Sequence, residues 1–202
     1  MKNDWNGNSS SVFTPLGVSS HSLNDRAEND YYATDPKAID ALFSVEDFSK
    51  YIWEPACGGL HLSKRMEEMG KVVINSDIVD RVDDSSVSIV NFLEYNPESG
   101  IHGTVDIITN PPYSHAQEFV EKALELVQDG RKVAMLLRIN FLEGQRRKAL
   151  FKKLPPKCVY VFSKRITCAK NANFEKYSNG AQAYAWFVWE KGLKNKTTID
   201  WI

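Results

Sequence analysis

With 202 residues, 43% of them hydrophobic and 25% charged, the chain has the size and composition of a single globular domain. No apolar run approaches the ~18 residues of a membrane span; the Asn/Ser-rich N-terminus does not read as a signal peptide; and Cys57, Cys158 and Cys168 are too scattered for a disulfide framework or a zinc site. These exclusions leave a cytoplasmic protein as the expectation, and the net charge of -1 gives no overall pull toward a polyanion.

Residues 1–28 are rich in Ser, Asn and Asp, lack periodicity, and are expected to be a disordered tail preceding one domain at 29–202. After Tyr31-Tyr32-Ala33-Thr34, Asp35 is a good N-cap and Pro36 a good first residue for a helix that carries Ile39, Leu42 and Phe43 on one face. Tyr51-Ile52-Trp53-Glu54 reads as a strand that runs into Pro55-Ala56-Cys57-Gly58-Gly59. A helix follows, with Leu62, Met66 and Met69 at helical spacing and a stop at Gly70. Val72 to Asp77 is a second strand, Ile89-Val90 a short third, and Val105 to Thr109 a fourth that is stopped by Asn110-Pro111-Pro112-Tyr113. Phe119, Val120, Ala123, Leu124 and Val127 make a helix ending near Gly130, and Val133 to Leu137 is a fifth strand. Val159 to Phe162 and Ala183 to Trp189 are later strands, and in the second Tyr184, Trp186 and Trp189 are expected in the sheet core. Strands alternating with helices predict an α/β, Rossmann-like, mostly parallel sheet with helices on both faces.

In sheets of this kind ligands bind beyond the carboxyl ends of the strands, at a topological switch point. Three informative segments fall at such ends. Glycines in the Glu54–Gly59 turn let a ligand approach the backbone. Asp77 ends the next strand, placed like the acid that accepts hydrogen bonds from ribose hydroxyls in dinucleotide sites. Asn110-Pro111-Pro112-Tyr113 is a stiff loop, because two consecutive prolines forbid helix and remove two backbone donors. The four histidines, His21, His61, His102 and His115, show no metal-ligand spacing, so no metal is expected.

Charge is distributed unevenly. Residues 1–130 hold 9 Lys/Arg against 22 Asp/Glu, whereas residues 131–176 hold 13 Lys/Arg against Glu143 and Glu175. A local excess of this size steers polyanions even in a near-neutral protein; a solvated helix face is the alternative.

These segments together resemble class I S-adenosylmethionine-dependent methyltransferases that modify exocyclic amino groups, in particular the small phage and prophage DNA adenine methyltransferases. Asn110-Pro111-Pro112-Tyr113 is similar to their catalytic loop, Glu54, Pro55, Ala56, Cys57 and Gly58 to their cofactor loop, and Tyr31 to Pro36 to the segment near the methionine moiety. Asn91-Phe92-Leu93 is similar to a cofactor-adenine motif, and the likeness extends through Phe141-Leu142-Glu143-Gly144 and Phe162-Ser163-Lys164-Arg165 to Gly192. Leu60 stands where the family usually has a second glycine, and Asn91 where it usually has an acid.

The resemblance implies S-adenosylmethionine as cofactor and adenine in DNA as substrate. Tyr31, Tyr32 and Thr34 would lie at the methionine end, and Phe92 would pack on the cofactor adenine. Asn110 and the Pro111 carbonyl would accept the two hydrogens of the target amine, with Pro112 stiffening the loop and Tyr113 stacking on a base flipped out of the duplex. Arg138, at a strand end, and Arg146, Arg147 and Lys148 are expected to contact DNA. Protein glutamine and RNA adenine are alternative substrates, and a non-catalytic DNA-binding relic is the reading from another class.

Overall fold

The computed structural model describes residues 31–96, 104–170, 172, 174, 182–194 and 196–202. The expected N-terminal tail, His21, His102 and the Lys176 end of the basic segment lie outside the described residues.

Among the described residues ten strands form: β1 (Tyr32–Thr34), β2 (Tyr51–Glu54), β3 (Val72–Asp77), β4 (Val87–Ile89), β5 (Asp106–Thr109), β6 (Lys132–Arg138), β7 (Cys158–Val161), β8 (Cys168–Lys170), β9 (Tyr184–Glu190) and β10 (Thr198–Trp201). Eight make one sheet in the order β10-β7-β9-β6-β5-β2-β3-β4. Every neighbouring pair is parallel except the two that involve β9, the antiparallel strand near the C-terminus. β1 and β8 form a separate antiparallel ribbon, with Tyr32 opposite Lys170 and Thr34 opposite Cys168.

Alternation along the central strands divides the core in two. From β6, Val133, Met135 and Leu137 face one side with Ala185, Phe187 and Trp189 of β9, while Ala134 and Leu136 face the other with Trp186 and Val188. Because both faces are covered, these strands are apolar without interruption. The first side packs on Phe119, Val120 and Ala123 of α3 (Ala116–Leu126) and Leu150 of α4 (Gln145–Lys153). The second packs on Ile39 and Leu42 of α1 (Lys37–Phe43) and Leu62 and Met66 of α2 (His61–Glu68). The expected aromatic core is present: Tyr184, Trp186 and Trp189 are all buried.

Polar groups tie the amino ends of the strands together. Asp106 accepts the backbone N–H of Ser49 at 2.6 Å and of Lys132 at 2.8 Å. Buried Glu46 accepts Lys132 Nζ at 2.7 Å and the Tyr160 hydroxyl at 2.8 Å. Although burial opposes ionisation, the hydrogen bonds from Lys132, Tyr160 and Lys157 hold this carboxyl below its ordinary range.

The structure shifts some expected bounds. α1 starts at Lys37, one residue after the expected Pro36; Asp35 still caps the preceding turn by accepting the Lys37 N–H at 3.0 Å. The third strand is Val87–Ile89, starting two residues before the expected Ile89, and the Val90 N–H still donates to the Asp77 carbonyl of β3 at 2.8 Å. β1, β8 and β10 carry no strand signal in the sequence; at three or four residues each, they depend on partners distant in the chain. Among the described residues no helix is long and apolar enough to cross a membrane.

Candidate active site

β2 lies between β3 and β5, so the chain runs outward from β2 through β3 and β4 and then returns to β2's other side. That reversal opens a crevice at the carboxyl ends of β2 and β5, as parallel sheets of this topology do. A cavity of about 510 Å³ occupies it. Its wall brings together Tyr31, Tyr32, Thr34, Glu54, Pro55, Ala56, Cys57, Gly58, Asp77, Asn91 and Phe92, together with Asn110 and Pro112. Pro111 and Tyr113 are not on this wall.

The turn after β2 is held open by Asp77, whose Oδ2 accepts the Gly58 N–H at 2.8 Å while Oδ1 accepts the Val79 N–H at 3.0 Å. Gly58 has φ +52°, and a Cβ there would meet the Tyr31 ring at 2.4 Å, so this position requires glycine on two counts. Leu60 also adopts a left-handed conformation, φ 63° and ψ 21°, directly before α2. The position where the resembled family carries glycine therefore keeps a glycine-like backbone, and the leucine side chain is buried. Beneath the turn, Ser63 donates to the buried carboxyl of Glu54. Burial, with the nearby negative Asp77 adding to it, pushes Glu54 up to about 8.

Asn110 follows β5 and is oriented from the β1 ribbon. Its Nδ2 donates to the Thr34 hydroxyl at 2.8 Å and to the Tyr32 carbonyl at 3.1 Å. Both amide hydrogens are thereby used on protein acceptors. Its Oδ1 is buried and accepts no hydrogen bond. A buried acceptor without a donor costs on the order of 1–3 kcal/mol, so the fold retains an unsatisfied group at the cavity wall.

Tyr113, the last residue of the loop, is not on the cavity wall. Its ring packs against Tyr32, with centroids 5.5 Å apart, and the Arg138 guanidinium lies 4.6 Å above it. Its hydroxyl is buried, which pushes its ionisation well above the ordinary tyrosine range. The expected base-stacking face is thus occupied by protein groups, and Arg138 is committed to this stack rather than standing free. Arg147 is likewise engaged: it donates to Gln117 at 2.6 Å and lies 4.1 Å above the Phe141 ring. Arg146 and Lys148 are exposed on α4.

Asn91 uses its Oδ1 to accept the Leu93 N–H at 3.2 Å, capping the short turn Phe92–Glu94. The Nδ2 donor pair and the second lone pair of Oδ1 remain for a ligand, so Asn91 offers donors where an acid would offer none. Phe92 is buried and packs edge-on against Trp53 at 5.2 Å. Sequence reasoning missed several wall residues, chiefly Arg81, His61, His115 and Phe119. Arg81 lies 4.4 Å above the Tyr31 ring, placed there by a loop that follows Asp77. No local pattern marks it, since its position depends on how that loop folds back over Tyr31.

No family model and no curated protein matches the chain. Solved structures do share its fold. A type I restriction-modification methyltransferase subunit from Streptococcus thermophilus superposes with a TM-score of 0.61 at 14% identity, covering 87% of this chain and 48% of that one. The chain thus spans about half the length of that protein. A predicted O-methyltransferase from Agrobacterium tumefaciens gives 0.56 at 12% identity, with 78% and 81% covered. A Listeria monocytogenes protein assigned to the class I S-adenosylmethionine-dependent methyltransferases gives 0.55 at 11% identity, with 95% and 70% covered. The fold is the α/β, Rossmann-like fold of class I methyltransferases.

Proposed function

We propose that this chain is an S-adenosylmethionine-dependent methyltransferase that acts on the exocyclic amino group of adenine in DNA. The observation that carries the reading is the buried, unpartnered Oδ1 of Asn110, a residue on the wall of a cavity also lined by a glycine turn, Asp77 and Asn91. The residues present fit the cofactor. A volume of about 510 Å³ lies in the range of small-molecule sites. Asp77 can accept from ribose hydroxyls, Gly58 keeps the turn free of side chain, and Asn91 and Leu93 border the adenine end.

When bound, the cofactor would supply an electrophilic sulfonium methyl group: as the N–C bond forms, the C–S bonding pair stays on sulfur as a neutral thioether, and the proton lost from the methylated amine leaves to water. The chain's own task is the amine, whose lone pair is delocalised into the ring and is a poor nucleophile. Asn110 Oδ1 accepts one amine hydrogen, and the Pro111 carbonyl is assigned the other. Drawing both hydrogens away from the ring plane pyramidalises the nitrogen, which localises its lone pair toward the cofactor and fixes the approach direction. Pro111 and Pro112 make this loop stiff, so little reorganisation is needed when the base arrives. DNA is favoured by the basic 131–176 segment, and by the fold shared with a methyltransferase subunit of a type I restriction-modification system.

The test is transfer of tritiated methyl from S-adenosylmethionine to adenine-containing duplex DNA, RNA and protein extracts in parallel. Label in the N6 position of DNA adenine is the expected result; label confined to RNA or protein would overturn the substrate. Asn110→Ala should reduce turnover on the order of 100–1000-fold with cofactor affinity unchanged. Near-normal turnover would overturn the catalytic assignment.

A further inference from the structure

The orientation of the Asn110 amide has to be decided by something. Its oxygen and nitrogen occupy nearly the same space, and the two orientations related by a half-turn about the side chain differ only in the hydrogen bonds they make. With nitrogen toward the target, two amide hydrogens would meet two amine hydrogens and nothing would be polarised. With oxygen toward it, an acceptor meets a donor. Resting on the reading above, we infer that the Tyr32 carbonyl and Thr34 form the positioning device for the productive orientation, the carbonyl selecting it and the Thr34 hydroxyl holding it.

The Tyr32 carbonyl makes the choice one-sided: it can only accept, so it admits the amide nitrogen and repels the amide oxygen, whereas the Thr34 hydroxyl, able to donate or accept, adds the second bond that holds the chosen orientation. Thr34 Oγ1 accepts the second amide hydrogen at 2.8 Å, closer than the 3.1 Å to Tyr32. Both acceptors come from β1, three residues long, which is held by its antiparallel pairing with β8. Thr34 is 3% exposed and paired with Cys168, so its hydroxyl has little freedom to turn away. The catalytic loop thus takes its chemical polarity from a two-stranded ribbon outside the main sheet. Thr34 is a positioning residue here: it acts on the amine through Asn110.

Thr34 also lines the cofactor cavity, so the test must separate positioning from cofactor contact. Thr34→Val keeps the shape and β-branching but removes the acceptor. With adenine-containing random-sequence duplex DNA as probe, kcat should fall about 10–100-fold, while the KM for S-adenosylmethionine and its calorimetric Kd stay within about twofold. Thr34→Ser should restore most of the rate. In the Asn110→Ala background Thr34→Val should have no further effect, because the group it orients is gone. A second readout needs neither cofactor nor DNA. The Asn110 side-chain NH2 resonances, assigned by their loss in Asn110→Ala, should report two hydrogen-bonded protons in the native chain. One should shift in Thr34→Val and return in Thr34→Ser, with the far-ultraviolet spectrum and Tm confirming a folded protein. Unchanged amide resonances, an unchanged kcat, or a loss confined to cofactor affinity would overturn the positioning role. If Asn110→Ala itself retained turnover, the functional reading would fail first, a distinguishable result.

Discussion

Glu54 is a buried carboxyl group that hydrogen-bonds Ser63 and has negative Asp77 as its neighbour. Its ionisation lies near 8 in the folded chain against an ordinary value of about 4.5. Between those values the folded protein keeps a proton that the unfolded chain has released, so stability falls as pH rises through that window. The effect is on the order of a few kcal/mol. Glu54→Gln should flatten the decline, and urea unfolding at pH 5, 7 and 9 measures it; parallel profiles for the two proteins would rule out this origin. Glu46 acts in the opposite direction and elsewhere on the scale: its depressed carboxyl contributes stability that is lost only as pH falls below the ordinary carboxylate range. On the cavity wall, Asp77→Ala should weaken S-adenosylmethionine binding by about 1–3 kcal/mol, through lost ribose hydrogen bonds and release of the Gly58 N–H. Calorimetry on the folded variant checks it, and unchanged affinity removes Asp77 from the binding reading.

The β2–α2 turn shows two local requirements in competition. At Leu60 the left-handed backbone costs a leucine roughly 1–2 kcal/mol. Burying that side chain returns more, since deleting a buried leucine typically costs about 2–5 kcal/mol. Leu60→Gly should therefore destabilise the protein, by about 1–3 kcal/mol in urea unfolding, although glycine suits the backbone better. A stabilised variant would mean that strain outweighs packing. The turn also explains how this element was legible in part: Gly58 and Gly59 stand between an apolar strand and a helical repeat, a pattern that local spacing reveals. That Asp77 would hold the turn through the Gly58 N–H depends on β2 and β3 being neighbours, which no local window records.

For the whole molecule, the question is what the basic segment does. Arg138 and Arg147 are committed to Tyr113 and to Gln117 with Phe141, leaving Arg146 and Lys148 as the exposed cations among the four expected DNA contacts. Phosphate-dominated binding weakens with salt by roughly one power per neutralised phosphate on duplex DNA. Replacing Arg146 and Lys148 together by alanine should lower affinity uniformly across unrelated sequences and make the salt slope shallower by about two. Fluorescence anisotropy across a salt series measures it. An unchanged slope would show that this charge only solvates α4.

Much of this protein was determined by the sequence alone, wherever chemistry and periodicity coincide over a short span. The central strands announce themselves because burial on both faces demands unbroken apolar runs, and Asn110-Pro111-Pro112-Tyr113 because two prolines make a loop whatever surrounds it. The residues expected around a cofactor do line one cavity, since glycine turns and strand-end acids converge wherever parallel strands share an edge. Only the tertiary structure decided the rest. β1, β8 and β10 are too short to hold themselves and exist through partners far along the chain. Whether Tyr113 lines the cavity or not, whether Arg138 is free or stacked, and which end of the Asn110 amide is tied to β1 all follow from residues distant in the chain. A side chain's identity sets which hydrogen bonds it can make; which of them it makes is settled by the groups that folding brings within reach.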